Sequence, residues 1–193
     1  RRFTYPMHRH KAMELNFIQN GKGVRRVVGG SSEEIGDYEI ALIGEDIEHA
    51  WEQGECSSED VREITIHFPA NLFDGNLIEK KQFASIKEMI KDSRHGITFG
   101  MSAILKVYTL LDSISSEKSS FEQFLIFERI LHTLSKSDYR LLTSKSSTEP
   151  EHGANPDKIG FIKEYLKLNY SKNIRLSQLS ELTGLSTTSI ARL

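Results

Sequence analysis

Between residues 13 and 68, hydrophobic positions come in short alternating or apolar runs cut by glycine, the pattern of a small all-β unit. Residues 14–19 read as a first strand, ended by Asn20-Gly21-Lys22-Gly23. Residues 24–28 read as a second, followed by a Gly29-Gly30 hairpin signal. A Gly36-Asp37 turn opens a strand at residues 38–43, a short one follows at 49–53, and Pro69 closes another at 62–68. Short strands with no helix between them to carry a crossover favour a sandwich or barrel over a parallel sheet.

After Asn71 the period turns helical. Phe83, Ile86, Met89 and Ile90 form one stripe, and Ile104, Leu105, Tyr108 and Leu111 a second. Phe121, Phe124, Leu125, Glu128, Leu131 and Leu134 trace a third at three-and-four spacing. The polar stretch 113–120 joins the last two as an antiparallel hairpin. Phe127 and Ile130 widen the final apolar face beyond what one neighbour covers, so Phe124, Phe127 and Leu131 read either as core or as a dimer surface.

Residues 143–157 are rich in Ser, Thr, Pro and Gly without periodicity and read as a linker, followed by an amphipathic helix at 159–168. Residues 176–193 then have the form of a helix, a glycine turn at Gly184 and the start of a second helix. Ser177 and Ser186 are the caps, and Leu179, Leu182 and Leu185 the inward positions. A helix-turn-helix places its second helix in the DNA major groove; an ordinary helical hairpin has the same pattern.

Net charge is −2, but from residue 155 onward six Lys or Arg face three Asp or Glu, which suits phosphate contact or simply a solvated face. The single cysteine, Cys56, allows no intrachain disulfide and points to a reducing, cytoplasmic location. No apolar run approaches the ~20 residues that span a bilayer, so no membrane partner is expected. The chain starts without Met and stops within a helical pattern, so a longer native chain is expected.

The candidate chemistry lies at the start of the β unit. His8, His10 and Glu14 share even parity, so on a continuous strand their side chains lie on one face, and His49 from a later strand is the natural fourth member. Such a set either lines a hydrogen-bonded pocket or holds a divalent metal, and an open coordination position would then suit oxygenase or isomerase chemistry. Phe17, Tyr38 and Trp51 are candidates to stack on a sugar or apolar effector, with core as the alternative, and Arg25 to meet an anionic one. His67, His95, His132 and His152 have no evident partner.

The spacing H-x-H-x3-E-x6-G, followed by a Gly-Asp turn and a lone His49, resembles the paired motifs of the cupin β-barrels. The second motif departs at Gly44, Asp46 and Gln53. Taken whole, the chain resembles the AraC/XylS family of bacterial transcription regulators. The resemblance runs through His8, His10, Glu14-Leu15, Gly21, Gly23, Gly36-Asp37, Leu42-Ile43 and His49-Ala50-Trp51. It continues through Phe83 to Ile86, Gly96 to Phe99, residues 121–142, and 159–193.

It implies an α+β chain. Residues 1–142 would be a cupin-like effector and dimerisation domain, with a barrel at about 1–70 and helices at about 71–142. Residues 143–157 would be the linker, and 158–193 the first, incomplete, of two helix-turn-helix units. It also directs Thr187, Thr188, Ala191 and Arg192 toward DNA, Arg192 to a guanine edge or a phosphate. The expected function is a ligand-responsive, DNA-binding, homodimeric regulator with no catalysis and no cofactor. The alternative is a metal-dependent cupin enzyme whose C-terminal helices only pack.

Overall fold

The computed structural model describes Phe3, residues 5–143, Leu176 and Leu179. Two compact units make up the chain, Arg1–Ser144 and Lys145–Leu193. In the second, Leu176 and Leu179 are helical, the first exposed and the second buried. The remaining helix-turn-helix positions lie outside the described residues, as do His152, Thr187, Thr188, Ala191 and Arg192.

The first unit runs β1 (Ala12–Gln19), β2 (Arg25–Val28), β3 (Ser31–Glu34), β4 (Tyr38–Ile43), β5 (His49–Glu52), β6 (Arg62–Pro69), α1 (Ala84–Asp92), β7 (Ile97–Phe99), α2 (Met101–Ser116), α3 (Ser120–Ser135) and β8 (Tyr139–Leu141). All pairings are antiparallel. One sheet has the order β6-β1-β4-β7-β8 and the other β3-β2-β5. The fold is thus α+β with two separate sheets, and the expected closed barrel is not formed. Polar residues 31–34 and the three-residue strands β7 and β8 give too little alternation to read as strands. The last two are fixed only by pairing with β4 and with each other.

Period-two alternation along β1 divides the interior. Met13, Leu15 and Phe17 face the helices, packing with Ile40, Leu42, Ile97 and Phe99 against Ile86, Met89, Ile104, Val107 and Leu134. On the other face Ile18, Ala41 and Ile43 meet Val24, Val28 and Trp51 between the two sheets. The result is three layers: helices, five-stranded sheet, three-stranded sheet.

α3 packs on both α1 and α2, which accounts for the breadth of its apolar face. Phe127 is 5% exposed and Leu131 0%, with the Phe127 ring 4.9 Å from that of Phe68. These two are core, which corrects the reading of them as a dimer surface; only Phe124 of the three reaches solvent. No helix among the described residues is long and apolar enough to cross a membrane.

Candidate functional site

The strand expected to run from His8 to Glu14 is broken. His8 bridges to His49 at the edge of β5, with paired backbone bonds of 3.1 and 2.9 Å, and the chain then bends past His10 to enter the other sheet at Ala12. The N-terminal segment therefore spans both sheets at one end of the sandwich. His8 and His10 arrive from the segment, Glu14 from β1 and His49 from β5. One donor atom from each of these four lies within 4.8 Å of every other. Neighbouring donors around a tetrahedral ion with bonds of about 2.0–2.1 Å are roughly 3.4 Å apart, so a modest contraction closes the set on a cation.

The tautomers favour that closure. His8 Nδ1 lies 3.0 Å from Pro6 O, His10 Nδ1 2.7 Å from Ala12 O, and His49 Nδ1 2.8 Å from Ile47 O. A carbonyl only accepts, so each Nδ1 carries the hydrogen, and in the neutral ring each Nε2 keeps a lone pair. The Nε2 atoms of His10 and His49 then stand 3.3 and 3.4 Å from Glu14 Oε2 with nothing to donate to it. Lone pairs facing a carboxylate require a cation between them, either protons or a metal. Backbone tethering of the far ring nitrogen is also how metal-bound histidines are oriented.

Glu14 is 3% exposed. Burial pushes its carboxyl up, but when these rings are protonated, hydrogen bonding and charge from His49, with His67 and His10, outweigh this and bring it down to about 2. Burial would lower His49, yet the Glu14 carboxylate and the Ile47 carbonyl hold it above the ordinary value. His8 is lowered, first by burial and then by His49 and His10, against the Pro6 carbonyl and Glu14. Adjacent imidazoliums oppose one another here, and a divalent ion replaces them with a single doubly charged centre. Three imidazoles and a carboxylate suit zinc, iron, nickel or copper rather than magnesium or calcium.

A cavity of about 400 Å³ opens on this set. Phe3, Tyr5 and Trp51 give it aromatic wall, and Asn16, Glu63, Thr65 and His67 polar wall; no Lys or Arg lines it among the described residues. A larger groove of about 630 Å³, lined by Lys11, Glu45, Asn71 and Asp74, shares only His67 with it and lacks the convergent donors.

Of the residues expected at an effector pocket, Trp51 is there, its ring 5.9 Å from that of His49 and its Nε1 donating to Glu39 Oε2 at 3.3 Å. Phe17 and Tyr38 are not. Phe17 has odd parity against Glu14 and belongs to the helix-facing core, where its ring lies 6.5 Å from Tyr38 and 6.1 Å from Tyr108. Arg25 also points away, exposed and bonded through Nε to Glu52 Oε2 at 2.7 Å.

The buried cation is its neighbour Arg26, 2% exposed, ion-paired to Glu39 and Glu33; Arg140 on β8 holds Glu33 from the other side at 3.0 and 2.6 Å. Strand parity separates the two arginines, but choosing between them needed the sheet's inner face.

His67, without an evident partner in the sequence, bonds Glu14 Oε2 at 2.9 Å. Its signal lies in the register, which sets His67 on β6 opposite Glu14 on β1. His95 is buried, and His132 is exposed on α3. Neither a protein-family model nor a curated protein matches this chain.

Proposed function

We propose that the chain is a ligand-responsive transcription regulator of the AraC/XylS type whose N-terminal sandwich senses a small molecule at a divalent-metal centre. One observation carries the sensing half: three imidazoles with tethered Nδ1 atoms and one buried carboxylate converge beneath a cavity of about 400 Å³. His8, His10, Glu14 and His49 would hold the metal, which supplies a Lewis-acidic position for an oxygen or nitrogen of the effector. Trp51, Tyr5 and Phe3 pack on the effector's apolar face. The output half rests on the helix-turn-helix pattern at 176–193, with Thr187, Thr188, Ala191 and Arg192 toward DNA. An effector shifts such a protein by binding one arrangement more tightly than another. The homodimer of this reading uses exposed helix residues, Leu105, Phe121, Phe124 and Leu125. The lone, buried Cys56 suits a reducing cytoplasm.

The second reading, a metal-dependent cupin enzyme, is favoured by the same cavity, because a catalytic centre also needs an open position. Selection from a random DNA duplex pool separates them, using the chain extended through the second helix-turn-helix unit that the family resemblance implies, with and without Zn²⁺. Enrichment of one sequence supports the regulator. Absence of enrichment, with turnover of a small oxygenase or isomerase substrate by the metal-loaded protein, overturns it.

A further inference from the structure

The centre contains a fourth imidazole that the donor set does not use. His67 Nε2 lies closer to Glu14 Oε2, at 2.9 Å, than His10 Nε2 at 3.3 Å or His49 Nε2 at 3.4 Å. Yet no His67 nitrogen belongs to the group of donor atoms within 4.8 Å of one another. It stands on β6 opposite Glu14, its ring 5.0 Å from that of His10, with half of its side chain in solvent.

Chemistry separates it from the other three. His8, His10 and His49 each give their Nδ1 hydrogen to a backbone carbonyl, so as neutral rings they offer Glu14 only lone pairs. The His67 ring is tied to no backbone carbonyl among the described residues, so it is free to carry its hydrogen on Nε2 and donate it to Oε2. The other carboxylate oxygen, Oε1, lies 3.4 Å from Asn16 Nδ2, whose two hydrogens have nearer acceptors in Glu63 Oε1 and Thr65 Oγ1, each at 3.0 Å. His67 is thus the firm donor to Glu14, and it acts from outside the donor set.

We propose that His67 is a positioning residue of the metal centre: it donates from Nε2 to Glu14, holds that carboxylate aimed at the point where His8, His10 and His49 converge, and thereby sets how tightly the cation is held. This role rests on the metal reading above. Outer hydrogen bonds to metal ligands characteristically account for about 10–100-fold in affinity.

The test measures Zn²⁺ affinity by chelator competition, and the visible spectrum of the Co²⁺ form, for wild type, His67→Ala and His67→Gln. The glutamine amide reaches the place of Nε2 and still donates. His67→Ala should bind about 10–100-fold more weakly, with altered Co²⁺ bands, and because it takes a donor from buried Glu14 the metal-free protein should also unfold at a lower temperature than wild type. His67→Gln should restore both affinity and spectrum. Wild-type affinity and bands in His67→Ala, or a loss in His67→Gln as deep as in His67→Ala, overturns the role. If wild type takes up neither ion, the metal centre itself falls; if wild type binds and His67→Ala is unchanged, only the role of His67 does.

Discussion

Adjacent arginines on β2 provide the sharpest test of how the sandwich is held together. Arg26 is 2% exposed between the sheets, paired with Glu39, whose side chain is 7% exposed. Burial pushes the Glu39 carboxyl up, while Arg26 and the Trp51 indole pull it down. Arg26→Met removes the cation and leaves Glu39 in a low-dielectric layer. Breaking a buried pair from one side costs about 3–5 kcal/mol, because the stranded charge must be desolvated or neutralised. Glu33 contributes little to that cost, since its side chain is 40% exposed and it keeps Arg140.

Arg25 makes an exposed pair with Glu52, and Arg25→Ala should cost about 0–1 kcal/mol. In a unit of about this size, 1 kcal/mol moves Tm by roughly 3–5 °C. Thermal unfolding followed by circular dichroism should therefore show a drop of roughly 10–20 °C for Arg26→Met and under about 5 °C for Arg25→Ala. Arg26→Met combined with Glu39→Gln should recover part of the loss by removing the stranded charge. Equal drops for the two arginines, or a loss below about 1 kcal/mol for Arg26→Met, would refute the claim that Arg26 and Glu39 act as a buried pair.

Zn²⁺ at about 100 times its dissociation constant should add about 2.7 kcal/mol of stability, reversed by a chelator. This gain should vanish in His49→Ala and persist in His132→Ala on the exposed face of α3; an identical gain in both variants would place the ion elsewhere. Burial and the hydrogen bond to Asp92 at 2.9 Å raise the Tyr139 hydroxyl to about 12. The native protein then binds more protons than the unfolded chain above the ordinary phenol value of about 10, so this contribution is complete below about pH 10 and is lost as pH rises toward 12. Tm differences between wild type and Tyr139→Phe should accordingly shrink from about pH 9 to pH 11.5, and a constant difference would contradict the shift. Gly54 has φ +51°, and a Cβ there would sit 2.4 Å from the Gly23 carbonyl oxygen, so Gly54→Ala should lose at least about 1–2 kcal/mol. Gly36→Ala meets no atom within 4 Å and should be neutral or slightly stabilising in chemical denaturation.

Local pattern was enough to place β1, β4, β6 and the three helices, because each carries several turns or alternations of its own. It was not enough for β3, β7 and β8, whose strand character comes from hydrogen bonds to distant partners. The same division runs through the site. His8, His10, Glu14 and His49 could be grouped from spacing, although the reason for grouping them was a continuous strand that does not exist; a bend across two sheets brings them together instead.

Parity could say that Phe17 faces opposite to Glu14, and Arg25 opposite to Arg26. Which face holds the cavity and which the helices depended on how the second sheet packs. His67 lies 53 residues from Glu14 in sequence and meets it only through antiparallel register between β1 and β6. Composition and periodicity report what a segment can bury, whereas the partner of a polar group is a long-range fact, set when the chain closes on itself.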